Sequence, residues 1–432
     1  MKKSATNKNV YELAQERLSF IFKEFDNIYV SFSGGKDSGV LLNLCLDFMR
    51  KNHITRKLGV FHMDYEAQYQ MTTEYVDRIL QGNKDLIETY RVCVPFRVPT
   101  CASMYQEYWR PWDENVHDIW VRERPLDCLV KEDFNFFNDQ MWDYEFQVEF
   151  AQWLHKKKDA TRTCCLVGIR TQESFNRWRT IYSPNRYNTY HRLTWTHHIW
   201  PDVFNAYPIY DWKTTDIWVA NGKFKWDYNK LYDLYYLAGV PLEKQRVASP
   251  FISAAQETLK LYKAIDPQTW ARMVGRVNGV NFAGIYGGTK AMGWQSIKLP
   301  PGYTWKKYMF FLLDTLPEET RKRYLEKLAV SIEFWKTKGG CLAESTIEKL
   351  REAGVKFHVE HTTNYKTEKK PVKMDYLDDI NIPEFREIPT YKRMCICIMK
   401  NDHACKYMGF ALTKSERERR ERILKKYKNI FT

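Results

Sequence analysis

Six residues, Ser33-Gly34-Gly35-Lys36-Asp37-Ser38, interrupt two apolar runs in "YVSFSGGKDSGVLLNLCLDFM" (29–49). Glycine permits positive φ and close approach of the backbone to a ligand. A helix beginning after the glycines would present unpaired N–H groups and the positive end of its dipole. Together these features predict an anion cradle suited to phosphate or pyrophosphate. Ser33 and Ser38 add hydroxyl donors. Asp37 would cap the helix or hold a Mg²⁺ bridging the phosphates, and Lys36 would stay outside as a solvated charge. The spacing is not that of a Walker A loop, which needs four residues between its first Gly and the Gly-Lys-Ser/Thr.

A second group lies in "VGIRTQESFNR" (167–177). Arg170 leaves the carboxyl end of an apolar run beside Gly168. Arg177 falls two helical turns further on, on the same face. Two guanidinium groups so placed would clamp a phosphate or sulfate through bidentate hydrogen bonds; the plainer alternative is surface arginines on a helix. A third group is Cys395, Cys397, His403 and Cys405, spaced Cys-x-Cys-x5-His-x-Cys. Three thiols and an imidazole suit a tetrahedral Zn²⁺ site. The alternatives are an iron–sulfur cluster completed by a distant cysteine such as Cys128, or Cys395 and Cys397 lying on one face of a buried strand and binding nothing.

The elements that must position these groups are readable from periodicity. Apolar residues at steps of three and four from Val10 to Phe25 predict a helix. Continuous apolar runs predict strands at 27–33, 57–64, 87–95 and 162–170, with a fifth within 205–212. Helices are expected at 37–52, 71–82, 144–157, from 171 and from about 214. Alternating strands and helices, with strands lacking polar alternation, predict a doubly wound five-stranded parallel sheet with helices on both faces. The ligand should then sit at the carboxyl ends of the strands, near the switch in strand order. The expected organisation is an α/β nucleotide-binding domain over 1–248 with an aromatic insertion at about 100–140, a helical domain over 249–361, and a tail over 362–432. The tail would comprise a polar linker, the Cys/His segment and a charged terminal helix (415–428).

"SFSGGKDS" resembles the PP-loop of the adenine nucleotide alpha-hydrolase superfamily, and "VGIRTQESFNR" and "YPIYDWKTTDIW" (207–218) are similar to segments of its phosphoadenosine phosphosulfate (PAPS) reductase branch. The resemblance implies a Rossmann-like fold and a bound adenine nucleotide, ATP or APS/PAPS. Ser33, Gly34, Gly35, Lys36, Asp37, Ser38, Gly168, Arg170 and Arg177 would hold the nucleotide, with Asp37, Ser38 and Arg170 acting in catalysis. Asp64, in "FHMDYEAQY", resembles the acidic position that places the nucleoside. The pattern breaks at the C-terminus, where neither a Glu-Cys-Gly-x-His segment nor a Cys-x-x-Cys occurs. Fold and nucleotide site therefore match while the reductase nucleophile does not, which points to cleavage of ATP between the α and β phosphates. "RVASPFISAAQETLKLYKAI" (246–265) and "YKRMCICIMKNDHACKYMGF" (391–410) are similar to PAPS-reductase-like proteins of bacterial mobile elements typified by immunoglobulin-binding regulator A, IbrA. That likeness implies a prophage or mobile-element source, a ParB/sulfiredoxin-like partner and a role in gene activation.

Composition bounds the rest. The 432 residues are 44% hydrophobic, which is enough for a folded core. Neither a signal peptide nor a membrane-length apolar run is apparent, so the expected location is the cytoplasm. Ten cysteines without secretory context read as thiols or metal ligands. A net charge of +14 suits phosphate-bearing partners, nucleotide or nucleic acid. Aromatic-basic segments at 104–125 and 177–201 would either stack bases or pack the insertions. Oligomeric state leaves no trace in the sequence.

Overall fold

In this computed structural model, the described residues are 8–182, 189–247, 249–252, 255, 258–286, 289, 297–360 and 369–410. They form two units, one of residues 1–100 and 108–285 and one of 101–107 and 286–432. The boundaries expected at 248 and 361 are not where the contacts divide: helices just after 248 belong to the first unit, and the Cys/His segment joins the second.

The first unit opens with α1 (Val10–Glu24), started by Asn9, whose side chain accepts from the Tyr11 and Glu12 amides in a capping box. Then follow β1 (Asn27–Ser31), α2 (Lys36–Lys51), β2 (Leu58–Met63), α3 (Gln70–Gly82) and β3 (Ile87–Val92). An insertion carries the short pair β4 (Val98–Pro99) and β5 (Tyr108–Trp109). After it come α4 (Asp143–Lys157), β6 (Thr163–Val167), α5 (Phe175–Tyr182), β7 (Thr196–Trp200), β8 (Val203–Ala206), α6 (Thr214–Phe224) and α7 (Leu231–Leu237). The helices α8 (Tyr262–Ile265), α9 (Pro267–Arg276) and α10 (Val280–Tyr286) complete the order up to the boundary.

The sheet has six strands in the order β3-β2-β1-β6-β8-β7. Five are parallel, as expected, with Val30 of β1 opposite Val60 of β2 and Leu166 of β6. The sixth, β7, is an antiparallel edge strand that periodicity did not disclose, because its Thr-His-His-Ile-Trp sequence is polar on both faces. Chain order runs outward from β1 to β2 and β3, then returns to β6 on the other side of β1. The switch point therefore lies between β1 and β6, where the PP-loop and the Gly168–Arg170 segment leave the sheet. The core beneath them is aliphatic and aromatic: Val30, Val60 and Leu166 from the strands meet Leu18, Leu41, Leu44, Tyr75 and Ile79 from the helices. Removing a side chain such as Leu44 would cost about 2–5 kcal/mol.

The second unit contains α11 (Trp305–Asp314), α12 (Glu318–Thr337), β9 (Gly340–Leu342), α13 (Glu344–Glu352), β10 (Phe357–Val359), β11 (Lys370–Met374) and α14 (Tyr391–Met399). It is helical, as expected, but also holds a three-stranded antiparallel sheet in the order β10-β11-β9. The sheet takes in the end of the segment expected to be a linker; the terminal helix expected at 415–428 lies outside the described residues. Among the described residues, no helix is long and apolar enough to cross a membrane.

Candidate functional site

The turn between β1 and α2 has the predicted strand–turn–helix form. Gly34 has φ +75°, and a Cβ there would press on Val76 and Thr72 at 3.0 and 3.1 Å. Only glycine meets both conditions. Asn229 holds the turn from outside, donating to the Gly34 carbonyl at 3.1 Å and to Thr72 Oγ1 at 2.9 Å. Ser33 Oγ lies 3.0 Å from Ser38 Oγ and accepts from the Gly35 amide at 3.3 Å. The Lys36 amide donates to Tyr232 Oη at 3.0 Å. The next two amides of α2, those of Asp37 and Ser38, have no partner among the described residues. They stand at the positive end of a 16-residue helix.

Gly168, just beyond β6, faces them. A Cβ on Gly168 would lie 3.0 Å from the Ser38 amide nitrogen and from the Asp37 carbonyl. The absence of a side chain keeps the space over these amides clear.

The charged residues around the cradle form one network. Arg170 is almost fully buried. Its Nε donates to Asp37 Oδ1 at 2.6 Å, and one terminal nitrogen to Thr214 Oγ1 at 3.2 Å. The other terminal nitrogen lies 3.5 Å from Glu173 Oε1. Arg177 Nε reaches the other Glu173 oxygen at 2.5 Å. The two arginines thus lie on either side of a shared carboxylate and not as a free clamp. Lys36 corrects the expectation of a solvated charge. It is buried, donates to the Gln245 carbonyl at 2.8 Å, and lies 3.4 Å from Asp37 Oδ2. Burial lowers its pKa, against the pull of Asp37. Burial alone would raise Asp37, yet the charges of Lys36 and Arg170 outweigh it and hold the carboxyl below its usual range. Glu173 moves the other way: burial raises it, Arg177 opposes this, and the Asp37 charge adds to the rise. Three cations face two carboxylates, so the network carries a positive surplus beside unpartnered amides.

Asp64 is placed differently from expectation. Its side chain is wholly buried, paired with Arg91 at 3.1 Å and with Arg122. Burial raises its pKa, but the two guanidinium charges reverse this and hold it at about 2. Both oxygens are used, so a nucleoside could reach this carboxylate only by opening a buried ion pair. Glu66, two residues on, is equally buried at φ +61°. It accepts from the amides of Trp112 at 2.7 Å and Val121 at 2.9 Å, and from Arg276 at 2.8 Å. These acids seat the aromatic insertion on the sheet. Trp109, Trp112 and Trp120 are buried there, with Arg276, Arg122 and Arg124 lying over their rings. In this segment the aromatic-basic interleaving is packing, the plainer of the two expectations.

The Cys/His segment does not assemble the predicted Zn²⁺ site. Cys395 and Cys397 lie on α14 and not on a strand. Two residues apart on a helix, they point about 200° away from each other. Cys395 Sγ donates to the Trp305 carbonyl at 3.5 Å, whereas Cys397 Sγ meets the Asp402 carbonyl at 3.5 Å and adjoins Cys405. His403 Nε2 contacts the Ser103 carbonyl at 3.3 Å. Among the described residues, no three His, Cys, Asp or Glu side chains converge as metal ligands. Cys128 lies in the first unit, packed against Cys93, Trp112 and Trp120.

Glu173, Thr214, Asn229 and Tyr232 complete the site but were not singled out from sequence. Glu173 lay inside a motif already in view, and its position between two arginines was the available signal. Asn229 and Tyr232 belong to an ordinary amphipathic segment and gave none.

Residues 27–97 and 122–238 match the phosphoadenosine phosphosulfate reductase domain, and residues 239–419 match a domain of unknown function, DUF3440. The gap between the first two segments falls in the aromatic insertion. The chain is 34% identical over 426 residues to the uncharacterized protein YbdN of Escherichia coli (strain K12), covering 96% of this chain and 94% of that protein. Solved structures similar over part of the chain include PAPS reductase from Candida auris, with 14% identity, 58% of this chain, 98% of that one and a TM-score of 0.30. FMN adenylyltransferase from Candida glabrata gives 15%, 54%, 64% and 0.32, and the U34-tRNA thiolase NcsA from Methanococcus maripaludis gives 10%, 63%, 78% and 0.31.

Proposed function

Because the chain belongs to the family of Escherichia coli YbdN and carries a PAPS reductase domain, we propose that it is a nucleotide-using enzyme that cleaves ATP between the α and β phosphates and transfers the adenylyl group to an acceptor. The observation that supports this most is the cradle itself: two unpartnered amides, two serine hydroxyls and the bare face of Gly168 at the switch point of the sheet. In this reading an acceptor oxygen or sulfur attacks the α phosphorus, and the bridging oxygen leaves with pyrophosphate. The charge that develops on pyrophosphate is met by the Asp37 and Ser38 amides and the Ser33 and Ser38 hydroxyls. Arg170, held by Asp37 and Thr214, stabilises the reacting phosphate, and Lys36 and Arg177 add positive potential. Mg²⁺ arriving with the nucleotide would neutralise phosphate charge. Asp37 and Glu173 are the carboxylates that would hold it.

The domain match favours a second substrate class for the same cradle, a sulfonucleotide such as APS or PAPS. The likeness to immunoglobulin-binding regulator A and the ParB/sulfiredoxin-like partner belong to the same proposal and rest on sequence resemblance alone. The test is product analysis with Mg·ATP and with PAPS plus a dithiol, using an Asp37→Asn, Ser38→Ala variant as control. AMP and pyrophosphate from ATP, lost in the variant, are expected. Sulfite from PAPS with ATP untouched would replace the first reading by the second. Tight binding of both nucleotides without turnover would overturn both and leave a nucleotide-gated regulator.

A further inference from the structure

Eight of the ten cysteines are buried; Cys128 and Cys341 are partly exposed. Cys128 differs from Cys341 in having a second thiol beside it. The insertion returns to the sheet at Leu129, which forms a parallel bridge with Val92 at the end of β3. The Cys93 amide donates to the Leu129 carbonyl at 2.8 Å, and the Leu129 amide to the Arg91 carbonyl at 2.7 Å. Cys93 follows this rung and Cys128 precedes it, so the two sit diagonally across it, on the same face by backbone alternation. There they pack with Trp112 and Trp120 in one small cluster. Arg124 lies over the Trp120 ring at 5.5 Å.

The two thiols are unlike in reactivity. A hydrogen bond from Cys93 lowers the Cys128 pKa, and the charges of Arg124 and Arg91 assist. Burial pushes Cys93 far up, so it remains the proton donor. A partly exposed thiol with a lowered pKa beside a buried thiol is the arrangement of an attacking and a resolving cysteine.

We propose that Cys93 and Cys128 form a redox-active dithiol, with Cys128 attacking a peroxide and Cys93 closing a disulfide that ties the insertion to β3. In the first step the Cys128 sulfur bonds to one peroxide oxygen, the O–O bond breaks, and the departing oxygen leaves as water after taking a proton. In the second, the Cys93 sulfur attacks the Cys128 sulfenic acid. The S–O bond breaks, and hydroxide leaves with the Cys93 proton as water. Two thiols lose two electrons, and hydrogen peroxide becomes two waters. This dithiol is independent of the nucleotide reading and stands or falls apart from it.

The test uses the full-length reduced protein, titrated with hydrogen peroxide, quenched with an alkylating reagent and mapped by mass spectrometry. The expected product is a peptide cross-linked between Cys93 and Cys128, reopened by dithiothreitol, formed before Cys341 is modified. Cys128→Ser, a substitution at a partly exposed position, should leave Cys93 reduced at the same dose while thermal stability stays unchanged. Cys93→Ser should accumulate a sulfenic acid at Cys128 that dimedone traps. Oxidation of Cys341 ahead of Cys128, or a stable Cys128 sulfenic acid without cross-link in the native protein, would overturn the proposal.

Discussion

Two clusters of arginine and carboxylate lie in the first unit, and their difference separates architecture from site. Around Asp64 and Glu66, three acids (with Asp77) face three arginines, 91, 122 and 276. Charges balance, and the acids are further capped by backbone amides. Around Asp37, three cations face two acids, one of them with a raised pKa, and the neighbouring amides have no partner. The first cluster is closed electrostatically and has nothing to offer a ligand. The second has a positive surplus and empty donors, which is the condition for holding a polyanion.

The largest effect that could break this comparison is on stability. Glu66→Ala should strand Arg276 and two amides in the interior and cost about 3–5 kcal/mol, read as a drop in the urea midpoint. The folded fraction should still bind nucleotide normally. A loss below about 1 kcal/mol would mean that the closed cluster is no more than a surface ion pair.

At the cradle the expectation reverses. Gly168→Ala places a methyl 3.0 Å from the Ser38 amide, where the proposed phosphate would sit. Nucleotide affinity, measured by calorimetry, should fall tenfold to a hundredfold, about 1.4–2.7 kcal/mol, with a much smaller change in stability. Unaltered affinity would move the ligand away from this helix end.

Acid titration sharpens the contrast by about 2 kcal/mol. Asp64 titrates at about 2 in the folded chain against an ordinary 3.8. A depressed pKa contributes stability that is fully present above the ordinary value and lost as pH falls from about 4 towards 2. The wild type should therefore lose stability over that window, and Asp64→Asn should start lower and fall less steeply. Parallel acid limbs in the two proteins would show that the Asp64 pairs contribute nothing to folding.

How far all this was legible follows from the range of each interaction. β1, β2 and β6 are readable because buried parallel strands are mostly apolar runs, and the PP-loop because its chemistry is contiguous. Lys36 was misread because its partners, Tyr232 and Gln245, lie 196 and 209 residues away. Nothing local distinguishes a lysine that will be buried from one that will be solvated. Asp64 carries a resemblance but no local sign of its partners, and only the return of Arg122 from the insertion and Arg91 from β3 show that it is enclosed. The β9–β11 sheet escaped because its strands have three to five residues, too few for a period to show.

The smallest expected effect concerns α14, where composition and geometry disagree most. Cys-x-Cys reads as a ligand pair only if both thiols can turn to one ion, and helical spacing sends them to opposite sides. Cys395 serves the α11 contact through the Trp305 carbonyl, and Cys397 the turn through Asp402. Both are buried small groups held by weak sulfur hydrogen bonds, so Cys395→Ala should cost about 1 kcal/mol, and chelator should leave the melting temperature unchanged. Stoichiometric zinc in the purified protein, with a chelator-sensitive melt, would show that a rearrangement of α14 brings the thiols together. The second unit would then owe its fold to metal, where the packing of Met309, Leu313, Tyr324 and Leu328 against α14 now accounts for it without one.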